Sequence, residues 1–319
     1  MGSRLFQRLV VICLVGYLAI SAVAGVFMAE ATLHPARRVV SFGDERQAQE
    51  MARLHHSELT EVAIAARDGA TLRAWSIRPS SGNGNVVILL HGLGDNRFGM
   101  TGYAELLLSR GFSVLLPDAR AHGTSGGNLA TFGLLESEDI HRWLDWLEQN
   151  DHPDCIFGLG ESMGAALLLQ SLRSGTRFCA VAAESPFASF REIGYDRVGQ
   201  CFGTGTWLGR TALRPVIEFA FAYAKWKYKL DFEQVSPENA VAATAIPVFL
   251  IHGQSDSNIP ARHSRLIAAS NPAVVLWEVP NTDHCGAVAT NPAEFDERLI
   301  GWFDRHGSAQ GRLAVRMAH

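Results

Sequence analysis

The chain has 319 residues, of which 47% are apolar, and a formal net charge of −4. That length suits one large α/β domain, and a near-neutral chain with no basic face excludes the electrostatic footprint of a nucleic-acid binder. Five cysteines (Cys13, Cys155, Cys179, Cys201, Cys285) lack C-x-x-C spacing, so they carry no zinc or redox signature and read as separate thiols, with a pairing such as Cys201–Cys285 open outside the cytoplasm.

In chain order, Arg4 and Arg8 precede an uncharged apolar run from Leu9 to Ala29, which Glu30 closes. A run of about 20 residues is what a helix needs to cross a bilayer. A retained signal anchor is favoured, because the apolar run continues through Val26, Phe27 and Met28. The alternative is a cleavable signal peptide, with Ala22-Val23-Ala24 as the A-x-A site before Gly25. The expected location is therefore a membrane tether with the rest of the chain outside the cytoplasm, or a secreted or periplasmic protein after cleavage. Arg37 and Arg38 weaken the charge asymmetry that would fix the orientation.

A polar helical connector (Asp44 to His56) leads to two strands, Glu61 to Arg67 and Thr71 to Arg78, joined at Asp68-Gly69 as a hairpin. Apolar runs then recur at Asn85 to Leu90, Phe112 to Leu116, Cys155 to Leu159, Cys179 to Ala183, Pro247 to Ile251 and Ala273 to Val279. Runs without polar residues are strands buried on both faces. Helical patterns separate them: Tyr103 to Arg110, Leu134 to Gln149, Met163 to Arg173, Ala261 to Ala269 and Pro292 to Arg305. The alternation predicts a mostly parallel sheet with helices on both faces.

One interval is too long for a plain crossover. About 60 residues separate Ala183 from Pro247, well beyond an ordinary connection. The interval holds Phe202, Trp207, Phe219, Phe221, Tyr223, Trp226, Tyr228 and Phe232, and a helix is expected over Pro215 to Lys229. It reads as a helical cap. The expected divisions are an anchor or signal segment (1–30), a connector (31–59), a main domain (60–306, insertion near 187–240) and a tail (307–319).

Gly160-Glu161-Ser162-Met163-Gly164 directly follows a strand and directly precedes a helix. A serine on such a turn is strained and exposed, which suits a nucleophile. Gly123-Thr124-Ser125-Gly126-Gly127 has the same letters but follows a polar loop, so Ser125 reads as structural. A serine hydroxyl needs a base and an orienting carboxylate, in chain order Ser, acid, His for such a sheet. Asp256 lies in the loop after Pro247 to Ile251, and His284 in the loop after Ala273 to Val279. Three loops after three parallel strands bring Ser162, Asp256 and His284 to one sheet edge. Glu184 is the reserve acid, while Asp283 reads as a turn residue. His263 falls in a helix, and His306 and His319 lie beyond the last core helix, in the tail. Backbone N–H groups of Met163 and Leu93, the latter within His91-Gly92-Leu93-Gly94, are the expected oxyanion donors. His91 reads as a loop-holding residue.

These motifs, together with Asp118-Ala119-Arg120-Ala121-His122-Gly123-Thr124-Ser125, resemble the α/β-hydrolase superfamily across residues 60–305. The last stretch is similar to the family's D-x-R-G-H-G-x-S, with Ala121 where glycine is usual. The catalytic loop also departs from the family, with Asp283 where glycine more often precedes the histidine. Within the superfamily the chain looks like the serine aminopeptidase–lysophospholipase group, including members with an N-terminal membrane segment. The resemblance implies an α/β-hydrolase fold and a serine hydrolase with no cofactor and no metal. The expected substrate is a small-molecule carboxylic ester, and the aromatic insertion and the membrane tether together point to an apolar acyl group, as in a lipid or lysophospholipid ester. A peptidase would need an amine-binding carboxylate, for which Glu192, Asp196 and Glu218 are available. A non-catalytic scaffold is the third reading.

Overall fold

The computed structural model describes residues 2–174 and 177–307. The tail from residue 308 on, with His319, lies outside the described residues.

The larger unit comprises Pro35–Ala188 and Ser236–His319. Its first helix, α2 (Phe42–Leu54), starts at a capping box in which Ser41 and Asp44 satisfy each other's backbone N–H. β1 (Ser57–Ala65) and β2 (Thr71–Pro79) pair antiparallel from Ser57↔Pro79 to Ala65↔Thr71. β1 thus begins four residues before the predicted start. β3 (Asn85–Leu90), β4 (Ser113–Pro117), β5 (Cys155–Glu161), β6 (Phe178–Glu184), β7 (Val248–Gly253) and β8 (Val275–Val279) are parallel to one another. The sheet order is β1-β2-β4-β3-β5-β6-β7-β8, with β2 antiparallel to β4. Because β3 to β8 share one direction, all their following loops emerge at one edge.

The intervening helices are α3 (Thr101–Ser109), α4 (Glu136–Asn150), α5 (Met163–Ser171), α9 (Pro237–Ala242), α10 (Arg262–Ser270), α11 (Ala287–Thr290) and α12 (Pro292–Gly307). α2, α3 and α12 share one apolar cluster with the strands, including Trp75, Phe112, Phe157, Phe295 and Phe303. Phe157 and Phe303 stack with centroids 4.6 Å apart. α4, α5, α9 and α10 pack successively against each other. Cys155 and Cys179 form a disulfide, with Cα atoms 5.8 Å apart. This corrects the expectation of separate thiols: Cys155 is the first residue of β5 and Cys179 the second of the adjacent parallel β6, a proximity that spacing along the chain conceals. Cys201 and Cys285 are free.

The smaller unit comprises Met1–His34 and Ser189–Val235. It holds α1 (Gly2–Leu33), α6 (Phe190–Phe202), α7 (Thr206–Arg210) and α8 (Arg214–Tyr228). The N-terminal helix and the insertion, expected as separate segments, pack here as one body. Phe190, Phe221 and Phe232 form its aromatic core, with centroids 4.4 to 6.1 Å apart.

Candidate active site

Ser162 stands between β5 and α5 with φ 51° and ψ −114°. A non-glycine residue is held at such angles only where its surroundings over-determine them. Here the Ser162 N–H donates to the Glu184 carbonyl on β6 at 2.8 Å. The flanking glycines are needed for close passage. A Cβ on Gly164 would lie 2.1 Å from the Leu90 carbonyl oxygen, and one on Gly160 2.6 Å from the Gly164 backbone. Only chains without side chains fit this crossing of β5, α5 and the end of β3.

Ser162 Oγ lies 2.9 Å from His284 Nε2, and His284 Nδ1 lies 2.8 Å from Asp256 Oδ2. Both distances are hydrogen bonds of good length. Asp256 is buried, and its Oδ1 accepts the N–H groups of Asn258 and Ile259 at 2.9 and 2.8 Å. Burial alone would raise its pKa. Hydrogen bonds from His252 and His284, aided by charge and the Ile259 N–H, instead hold it well below the usual carboxylate range. It stays ionised across physiological pH.

Two groups fix this loop: His252, which sequence reasoning missed, and Asp283, which it read as a turn residue. His252, at the end of β7, lies 3.3 Å from Asp256 Oδ2, while its other ring nitrogen meets Ser264 Oγ at 2.7 Å. The four-residue spacing from His252 to Asp256 was the available signal. Asp283 accepts from the Ser257 N–H at 2.8 Å and the His284 N–H at 2.8 Å, tying the acid loop to the histidine loop. Gly253 permits the approach, since a Cβ there would meet the Thr282 carbonyl oxygen at 2.3 Å.

Glu184 does not reach His284 Nδ1. Its Oε2 accepts from the Tyr103 hydroxyl at 2.9 Å and its Oε1 from the Ala287 N–H at 3.0 Å. Burial raises its pKa. Glu161, immediately before Ser162, is pushed up to about 7 by burial first and by the Glu184 and Asp95 charges next. Burial also pushes the Cys285 thiol far up, so it is a neutral neighbour of His284.

Gly92 brings the His91–Gly94 loop against the nucleophile, where its Cβ would lie 3.6 Å from Ser162 Cβ. Leu93 follows Gly92 in that loop, and Met163, directly after the serine, opens α5. His91 is buried and structural: its Nε2 accepts from the Ala119 N–H at 3.0 Å. Ser125 is fully buried, donates to the Asp118 carbonyl at 2.8 Å and accepts from the Arg73 N–H at 2.9 Å. Asp118 binds Arg97 at 2.9 Å, and Arg120 binds Asp139 at 2.7 Å. His263 is spent on the Ala188 N–H at 3.0 Å. Among the described residues no group of three or more His, Cys, Asp or Glu side chains could hold a metal ion.

The sequence matches the alpha/beta hydrolase family over residues 87–298, more than half of the chain. The chain belongs to the alpha/beta hydrolase family. This hydrolase is 27% identical over 251 residues to the uncharacterised protein YqkD of Bacillus subtilis strain 168, covering 77% of this chain and 80% of that one. It is 28% identical to the uncharacterised protein YfhR of Escherichia coli K12 over 248 residues, covering 75% and 78%. An esterase of Pyrococcus furiosus superimposes on the hydrolase with a TM-score of 0.66 and 25% identity, covering 86% of this chain and 98% of the esterase. An acylaminoacyl peptidase of Pyrococcus horikoshii shares the fold at a TM-score of 0.60 and 16% identity, over 82% of this chain and 43% of that one.

Proposed function

We propose that this hydrolase cleaves carboxylic esters through an acyl-enzyme formed on Ser162. The observation that carries the reading is the continuous bonding Ser162 Oγ–His284–Asp256, at 2.9 and 2.8 Å. In this mechanism His284 Nε2 takes the Ser162 proton as Oγ attacks the ester carbonyl, and Asp256 orients the imidazolium. The N–H groups of Met163 and Leu93 hold the developing oxyanion. Collapse expels the alcohol, which receives the proton from His284. Water then attacks the acyl-enzyme, gives its proton to His284, and the acid leaves as Ser162 regains its hydrogen.

The peptidase reading loses support at the carboxylates it needs. Glu192 is paired with Arg210, Glu218 with Arg191 and Arg214, and Asp196 is buried. An intact triad argues against a non-catalytic scaffold. An apolar acyl group, as in a lipid or lysophospholipid ester, fits a hydrolase held at a bilayer by α1, whose apolar 18-residue window has a mean hydropathy of 2.6. The aromatics of the insertion add less than their number suggested, because Phe190, Phe221 and Phe232 are occupied with one another. The retained anchor, with the catalytic domain outside the cytoplasm, is part of the same proposal.

A fluorophosphonate probe tests the nucleophile. Wild type labels, Ser162→Ala does not, and Asp256→Asn hydrolyses p-nitrophenyl esters about 10⁴-fold more slowly in kcat. Undiminished labelling of Ser162→Ala overturns the assignment, and near-full activity of Asp256→Asn transfers the acid role to Glu184.

A further inference from the structure

Leu93, whose N–H is the second oxyanion donor in the mechanism above, stands in a loop with little stiffness of its own. Glycines flank it on both sides, and Gly94 takes φ 75°. The wide conformational range of glycine leaves such a loop loose unless other groups hold it. A donor stabilises an oxyanion only if it is in place when the charge develops, and an error of about 1 Å can cost about 10²-fold in rate.

At its start the loop is fixed by His91, whose Nδ1 meets the Gly92 carbonyl oxygen at 2.8 Å and whose Nε2 accepts from the Ala119 N–H at 3.0 Å. Its end is fixed by the stretch of chain that follows α1. The Ala36 carbonyl oxygen faces Gly94, 4.0 Å from where a Cβ would stand. Arg38 holds the next two residues. Its Nη1 donates to Asp95 Oδ1 at 2.7 Å, and its carbonyl accepts from Asn96 Nδ2 at 3.0 Å. Asn96 is fully buried, and its Oδ1 accepts from the Phe98 N–H at 2.9 Å. The Asn96 amide therefore locks the end of the loop to the Arg38 backbone on one side and to the next turn on the other.

The connector is itself held in place. Arg37 donates from Nη1 to the Ser125 carbonyl at 2.7 Å and from Nη2 to the Gly127 carbonyl at 2.8 Å. Val40 is buried in the apolar cluster that α2 and α3 share with the sheet. The two arginines that blur the charge asymmetry around the apolar run are thus both spent on loops of the larger unit. Asp44 is a second carboxylate near Arg38, at 4.0 Å. The Arg38–Asp95 pair is open to water, more so at the arginine, and such a pair contributes little to stability. What it governs is the place of the loop.

We propose that Arg38 is a positioning residue for the oxyanion loop: through Asp95 and Asn96 it sets where the Leu93 N–H stands, and so makes the connector after α1 a part of the catalytic framework. The proposal rests on the acyl-enzyme reading with Leu93 as a donor. Because the oxyanion exists only after Ser162 attacks, a loosened loop weakens the transition state and leaves ester binding as it was.

Hydrolysis of p-nitrophenyl butyrate by the full chain in detergent micelles tests this, beside inhibition by an alkyl trifluoromethyl ketone, whose carbonyl takes up Ser162 Oγ to form a tetrahedral oxyanion. Arg38→Ala lowers kcat about tenfold and raises the Ki of the ketone by the same factor, with KM within about twofold of wild type. The loss stays short of the roughly 10²–10³ that removing a whole oxyanion donor costs. Arg38→Lys keeps a charge for Asp95 and recovers most of the kcat. Asp95→Ala reproduces the loss, and the double variant is no slower than either single one, because both remove the same contact. The Tm of each variant stays within about 3 °C of wild type. A kcat and Ki for Arg38→Ala within about twofold of wild type overturn the proposal, as do a matching rise in KM or losses that multiply in the double variant. In those cases Ser162 still takes a fluorophosphonate label and the acyl-enzyme reading stands. Undiminished labelling of Ser162→Ala instead removes that reading, and this proposal with it.

Discussion

Ser162, the proposed nucleophile, lies between Gly160 and Gly164, and its backbone is held at φ 51° by a hydrogen bond to β6. The residue before it carries a second consequence. Glu161 is pushed from its ordinary value of 4.5 up to about 7 by burial, with Glu184 and Asp95 adding repulsion and the Gly92 N–H and Tyr103 hydroxyl opposing it. A carboxyl whose pKa rises on folding costs nothing while protonated in both states. The cost appears as pH climbs through 4.5 and is complete above about 7. At one pKa unit per 1.36 kcal/mol, it reaches up to about 3 kcal/mol. Urea unfolding at pH 4.5 and pH 8 should therefore show wild type losing stability over that window relative to Glu161→Gln. A parallel pH dependence for both chains would show that Glu161 ionises freely in the folded protein. Asp256 has the opposite sign: its depressed pKa contributes stability that is present above the usual carboxylate range and lost as pH falls through the lowered value.

At the scale of elements, loops after parallel strands carry the proposed catalytic side chains and loops elsewhere hold them in place. The Asp118–Ser125 loop illustrates the cost of a local exception. Ala121 adopts φ 60°, a left-handed conformation that penalises a Cβ by about 1–2 kcal/mol. Glycine, usual there in the resembling motif, has no such penalty. Part of that gain is offset by the greater freedom of glycine in the unfolded chain. Ala121→Gly is expected to stabilise the protein by about 0.5–1 kcal/mol on these terms, read as a higher urea midpoint at unchanged slope. A lower midpoint would mean that the buried methyl group matters more than the backbone strain.

For the molecule as a whole, two features bear on where it works. One is α1, whose carboxyl half is committed to α8 through Gly25 and Glu30. The other is the Cys155–Cys179 disulfide, which closes a loop of 24 residues. Disulfides persist in oxidising compartments, in agreement with the proposed placement of this domain outside the cytoplasm. A loop of this size is worth about 3 kcal/mol through the unfolded chain. Thermal melts with and without reductant should show a lower Tm in the reduced protein, and Cys155→Ala with Cys179→Ala should match the reduced form. Because the bridge joins the starts of β5 and β6, opposite the edge that carries Ser162, labelling of Ser162 at room temperature should be unaffected. An identical Tm with and without reductant would mean the bridge is not formed.

The order of strands and helices, and the meeting of Ser162 with Asp256 and His284 at one sheet edge, were legible in the chain. Buried strands announce themselves as apolar runs, and a parallel sheet sends every following loop to one edge, so chain position alone brings those residues together. Tertiary structure decided what depends on contacts between distant segments. It chose Asp256 over Glu184 by giving Glu184 to Tyr103 and Ala287. It added His252 and Asp283 as supports, paired Cys155 with Cys179, and set α1 against α8. Periodicity reports which face of an element is apolar. It does not report which other element lies against that face, and these contacts are of that second kind.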